Sequence, residues 1–171
     1  QAVVPTGAGG CWSWFILQTQ LLPGIPTLVG GLLDTQAELT FMHPVLSVLQ
    51  QAWEPVEPMV SMPRLARRPL PGHPVRPVYE PIAQGDSYFP KEVYDAMVLA
   101  YGHQQAGTVQ WTSMQDALAL AGLDGLRQYP VVDNLASDDG FPFTGAVVQH
   151  EPDGFSDPHV IFVQLDEVKH Q

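Results

Sequence analysis

Between Pro55 and Pro81, eight of 27 residues are proline. Each fixes φ and removes a backbone donor, so this stretch cannot hold a long helix or a central strand. Four of the seven basic residues, Arg64, Arg67, Arg68 and Arg76, fall in it as well. It is expected to be an extended excursion or internal linker (55–81) within one domain covering 1–171, a length ordinary for a single core. The chain is thereby divided into an apolar first part and a more regular second part.

In the first part, CWSWFILQTQLL (11–22) is apolar on nearly every side until Pro23 stops it. The pattern predicts a buried helix of about three turns, with a strand as the alternative because Trp, Phe and Ile also favour strands. PGIPTLVGGLLD reads as a turn-rich connector. A second helix is predicted over Thr35 to Trp53, where Leu39, Met42, Leu46 and Leu49 keep helical spacing while Pro44 interrupts the middle.

The second part starts with a helix near Pro90, a residue suited to the first turn, and Gly107 is the expected end. TSMQDALALAGLDG is a further helix, capped by Thr112 or Ser113 and closed by Gly122 or Gly125. YPVV, FTGAVVQH and HVIFVQL then read as strands, the last two forming an antiparallel pair across a turn-rich connection. The expected fold is therefore α+β, with N-terminal helices packed against a small C-terminal antiparallel sheet.

Composition narrows the partners. Charged residues make up 15% of the chain, against about 25% in a typical domain, and the net charge is -11 with a pI near 4.6. That balance disfavours a phosphate backbone or an anionic bilayer, so nucleic acid is not an expected partner. No charged residue precedes Asp34, but Gln18, Gln20, Pro23 and Pro26 break every stretch long enough to cross a membrane. A protein or peptide partner is expected, including self-association or assembly with a second chain. The single cysteine excludes an intrachain disulfide.

That cysteine carries the sharpest chemical reading. In GAGGCWSWF (7–15), Cys11 opens the first predicted helix, where free N–H groups and a partial positive charge favour a thiolate. The N–H of Cys11 is also a candidate oxyanion donor. A nucleophile needs a base brought from elsewhere, and His159, following SDP at the start of HVIFVQL, is the best placed of six histidines. Here GGCWSWF and DPHVIFV resemble the papain-like cysteine peptidase and amidase group, in which a Cys begins a central helix and a His begins a later strand. The resemblance implies a cysteine-dependent hydrolase or deamidase acting on peptide or side-chain amide bonds. Cys11 would be the nucleophile and His159 the base, with no cofactor. PTGAGG lacks the group's upstream oxyanion glutamine. For the residue that orients His159, Asp166 has the wrong strand parity, so Asp139 or Asp133 would reach in from the acidic turn, or the pair would act as a dyad.

Cys11 reads equally as a small buried residue beside two tryptophans. The competing function is a non-enzymatic acidic adaptor or structural subunit that binds a protein through its apolar or proline-rich surface. Arg68, Pro71, Pro74 and Arg76 fit a polyproline ligand in either direction. Asp133, Asn134, Asp138 and Asp139, with Asp153 and Asp157, offer oxygens to calcium without the helix-loop-helix spacing. His150 and His159 are weaker candidates for zinc. No phosphate-binding glycine loop of the Walker or dinucleotide kind is present.

Overall fold

Pro44 does not interrupt a helix; it begins one. A computed structural model describes residues 2–34, 38–152 and 157–163, and in it α3 spans Pro44–Trp53, with the His43 side chain accepting from the Val45 N–H. A proline at the first helical position gives up a donor that would have had no partner, which is why the boundary falls there. The predicted helix over Thr35 to Trp53 is shortened accordingly; residues 35–37 lie outside the described residues. Before it stand α1 (Trp12–Gln18) and α2 (Ile25–Leu32). The latter replaces the turn-rich connector read from the sequence, Pro26 again sitting in its first turn.

The proline-rich stretch folds into short pieces: a 3-10 turn (Glu54–Val56), α4 (Pro58–Ser61), another 3-10 turn (Met62–Arg64), and an extended run into β1 (Val78–Ala83). It is pinned by the Arg76 N–H on the Leu65 carbonyl and by Arg68 on Asp138 at 2.6 Å. Met62, Ala66 and Val78 from this stretch are core residues.

The second part contains α5 (Lys91–Tyr101), β2 (Gln104–Ala106), α6 (Ser113–Ala119), β3 (Leu135–Ala136), β4 (Pro142–Phe143) and β5 (Gly145–His150). α5 ends at Gly102, in the left-handed region at φ 78, five residues before the expected stop. Val93, Met97 and Val98 of α5 and Met114 and Leu118 of α6 pack with Val147 of β5 in one buried cluster. Each such side chain contributes about 1.5–3 kcal/mol of burial.

The fold is mixed α+β, with several N-terminal helices and a small C-terminal sheet region. The antiparallel expectation is corrected, however. The main sheet has the order β1-β5-β2, and both pairings are parallel, with Glu80 opposite Val147 and Gln105 opposite the same residue. Helices intervene between these strands, and such crossovers return the chain in the same direction. Among the described residues only the short β3–β4 pair is antiparallel. HVIFVQL is not a strand in its described part, because Pro158–Val163 forms 3-10 turns; residues 164 and 165 lie outside the described residues. YPVV forms no ladder, and its Tyr129–Pro130 bond is cis.

Candidate functional site

Cys11 is the N-cap of α1, at φ 56 and ψ 67, a left-handed conformation rare for a side chain with a Cβ. Its N–H donates to Glu57 Oε1 at 2.8 Å and that of Trp12 to Glu57 Oε2 at 3.2 Å. The Met59 N–H and the Gln50 side-chain amide complete the shell of the same carboxylate, at 3.3 and 2.8 Å. The N–H groups that would serve a thiolate or an oxyanion therefore already hold an internal anion. Burial raises the pKa of the Cys11 thiol, the Trp14 N–H lowers it, and the Glu57 charge raises it, for a net rise. Among the described residues the thiol is not clustered with a histidine.

His159 is held elsewhere, and firmly. Its Nδ1 lies 3.0 Å from Asp86 Oδ2. Tyr88 stacks on its ring at 3.9 Å between centroids, and Phe89 flanks it at 5.8 Å. Asp86 is itself buried and saturated. Oδ1 accepts from the N–H groups of Tyr88 and Phe89 at 2.7 and 3.0 Å, and Oδ2 also accepts from the Tyr94 hydroxyl. Burial, followed by the adjacent Asp86 carboxylate, pushes the Tyr94 phenol far up, so it stays a neutral donor. A carboxylate with this many donors is an acceptor only, so His159 presents Nδ1–H to it and leaves Nε2 as the free nitrogen.

Asp139, the expected orienting residue, is exposed in the turn at 138–140, and Asp133 is exposed as well. Asp86 takes the place assigned to them. Its signal in the sequence was the Gly-Asp turn after β1: an Asp at that position caps the next N–H groups and so fixes its own carboxylate.

Asp157 fastens the other side. It accepts from the His159 N–H at 2.9 Å and from both the N–H and the hydroxyl of Ser87. Burial raises its pKa, but the Ser87 hydroxyl and these N–H donors outweigh that and hold it below the usual carboxylate range. A lowered folded-state pKa adds stability above the unfolded value of about 3.9 that is lost as pH falls through the folded one. Ser87→Ala is therefore expected to lower urea stability at pH 6, with the gap to wild type narrowing as pH falls below about 3.9. A pH-independent gap would count against the ionised Asp157 as the cause.

Three further features surround this region. Gly7, Gly9, Trp12, Met62, Phe89 and Tyr101 contribute to the wall of an apolar groove of about 480 Å³. Deep in the core, Glu80 of β1 and His103 lie with Oε2 and Nδ1 3.7 Å apart, and among the described residues none of their side-chain polar atoms has a hydrogen-bond partner. At the N-terminal end, α2 buries no residue; Leu28 and Leu32, one turn apart, are 63% and 77% exposed. Phe41, which stacks on Trp14, and Met42 are exposed too.

Among the described residues no group of three or more His, Cys, Asp or Glu is placed to hold a metal ion, and no helix is long and apolar enough to cross a membrane. Asp153 and Asp166 lie outside the described residues. Comparison with protein-family models, curated proteins and solved structures finds no match for this chain.

Proposed function

We propose that this protein is a binding module whose N-terminal helical surface docks a basic amphipathic helix of a partner protein. The observation that carries the reading is α2, an uncharged helix of eight residues with none buried. A short helix without a buried face lacks the packing that ordinarily holds it, and an exposed apolar face of this kind marks an interaction site.

The partner's charge follows from the sequence around it. From Gln1 to Pro63 the charged residues are Asp34, Glu38, Glu54 and Glu57, all acidic, and of these Asp34, Glu38 and Glu54 are exposed while Glu57 is buried. An apolar ridge flanked by lysine or arginine complements this surface, as in helix-in-groove recognition. The thiol-hydrolase alternative is supported by the fixed ring of His159, but Glu57 occupies the N–H groups it would use.

The test uses the full chain and two synthetic helical peptides with one leucine pattern, one carrying lysines on its polar face and the other glutamates. The lysine peptide is expected to bind saturably, read by intrinsic tryptophan fluorescence, and the glutamate peptide is not. Leu28→Ser with Leu32→Ser should weaken binding about 10-fold or more, as loss of central apolar anchors does. Equal binding of both peptides, or no effect of the double substitution, would overturn the proposal. Concentration-dependent dimers in native mass spectra that vanish with the same substitutions would assign the surface to a second copy instead.

A further inference from the structure

We propose that His159 and Asp86 form a general-base dyad that activates water against esters of apolar acids seated in the neighbouring groove. The proposal is independent of the binding surface on α2. The dyad is built as a catalytic base requires: one ring nitrogen is committed to a buried carboxylate and the other is free. The His159 side chain is 17% exposed, so water can reach it. Among the described residues Nε2 makes no hydrogen bond.

Nε2 faces the glycine loop. A Cβ on Gly7 would lie 3.0 Å from it, and Gly7, at φ +56, also lines the groove. Phe89 likewise touches both the ring and the groove. Gly7 and Phe89 thus connect the base to the groove, while Trp12, Met62 and Tyr101 provide an apolar wall for an acyl chain. Ala8 and Gly9 line the same space, and among the described residues their N–H groups meet no acceptor. They are available to a developing oxyanion.

The chemistry balances without a cofactor. Nε2 takes a proton from water as its oxygen bonds to the acyl carbon, and the carbonyl oxygen becomes the oxyanion. The C–O bond then breaks, and the departing alkoxide takes the proton back from Nε2, giving an acid and an alcohol. Asp86 remains ionised and acts as the positioning residue. The titratable neighbours of the ring are Asp86 beneath it, Tyr88 stacked on it, Tyr94 through Asp86, and Asp157 at its backbone. No step passes through sulfur.

The experiment follows hydrolysis of p-nitrophenyl butyrate by the full chain against an equal concentration of imidazole. Wild type should exceed imidazole by about 100-fold or more, and His159→Gln should fall to the imidazole rate. Asp86→Asn should lower kcat about 10-fold or more while leaving KM unchanged, the mark of a residue that positions the base and not the ester. Cys11→Ser should retain the rate. In wild type, carbethoxylation mapped by mass to His159 should track loss of activity, which keeps the test valid if His159→Gln fails to fold. A wild-type rate equal to imidazole overturns the proposal. So does activity that survives His159 modification, or activity abolished by Cys11→Ser.

Discussion

Replacing His103 by phenylalanine is expected to lower the unfolding free energy by about 1–3 kcal/mol, the range for stranding a buried polar group. His103 is fully buried and stacks on Tyr101 at 4.7 Å with 7° between the planes, a geometry that phenylalanine keeps. What the substitution removes is the polar group nearest the Glu80 carboxyl, which is 2% exposed and has no hydrogen-bond partner among the described residues. The surroundings feel that carboxylate already. Burial first, and then the Glu80 charge, push the Tyr101 phenol well above its ordinary range. The decisive comparison is with the double variant Glu80→Met, His103→Phe. Removing both polar groups from an apolar core is often neutral, so it should recover most of the loss in urea denaturation. If the two substitutions add instead of compensating, the pair is not the unit that matters.

That pair also shows how far the sequence could be read. Glu80 and His103 carry no spacing signal, since the strands that place them are not hydrophobic runs: VYEPIA contains Glu and Pro, and QQA is polar. The obvious apolar runs at the C-terminal end therefore looked like partners of each other. In fact β5 draws both of its neighbours from these inconspicuous segments, in parallel. Helices α5 and α6 were legible because their apolar spacing is a local property, although α5 stops at Gly102 and not at Gly107. The 3-10 turns at Pro158 were not, because Asp157 caps the His159 N–H and thereby turns an apolar run away from the strand its composition favours.

The candidate site divides in the same way. His159 was expected at the mouth of a strand; its ring is held instead by Asp86 and Tyr88, in a 3-10 turn. Its partner, Asp86, lies 73 residues away, a distance no local pattern spans. Cys11 looked like a helix-start thiol with free N–H groups in front of it. The sequence held no sign that Glu57, 46 residues later and inside the proline-rich stretch, would fold back onto those groups.

Glu57 is the residue on which that correction rests. Glu57→Ala is expected to cost about 2–4 kcal/mol, because it strips the acceptor from several partly buried donors at once. Those donors are the N–H groups of Cys11, Trp12 and Met59 and the amide of Gln50. Glu57→Gln keeps the volume but turns an amide NH₂ toward N–H groups, so it should also destabilise, and the comparison isolates charge from packing. Both changes remove a negative charge that raises the Cys11 pKa. In wild type, the pH midpoint of iodoacetamide alkylation at Cys11 should therefore lie above the ordinary thiol value of about 8.5. In either variant it should move down toward that value, provided the protein remains folded under the assay conditions. A midpoint that stays in place while stability falls would show that burial alone sets the thiol. A wild-type midpoint below about 8.5 would mean that the helix start activates Cys11 despite the carboxylate bound there.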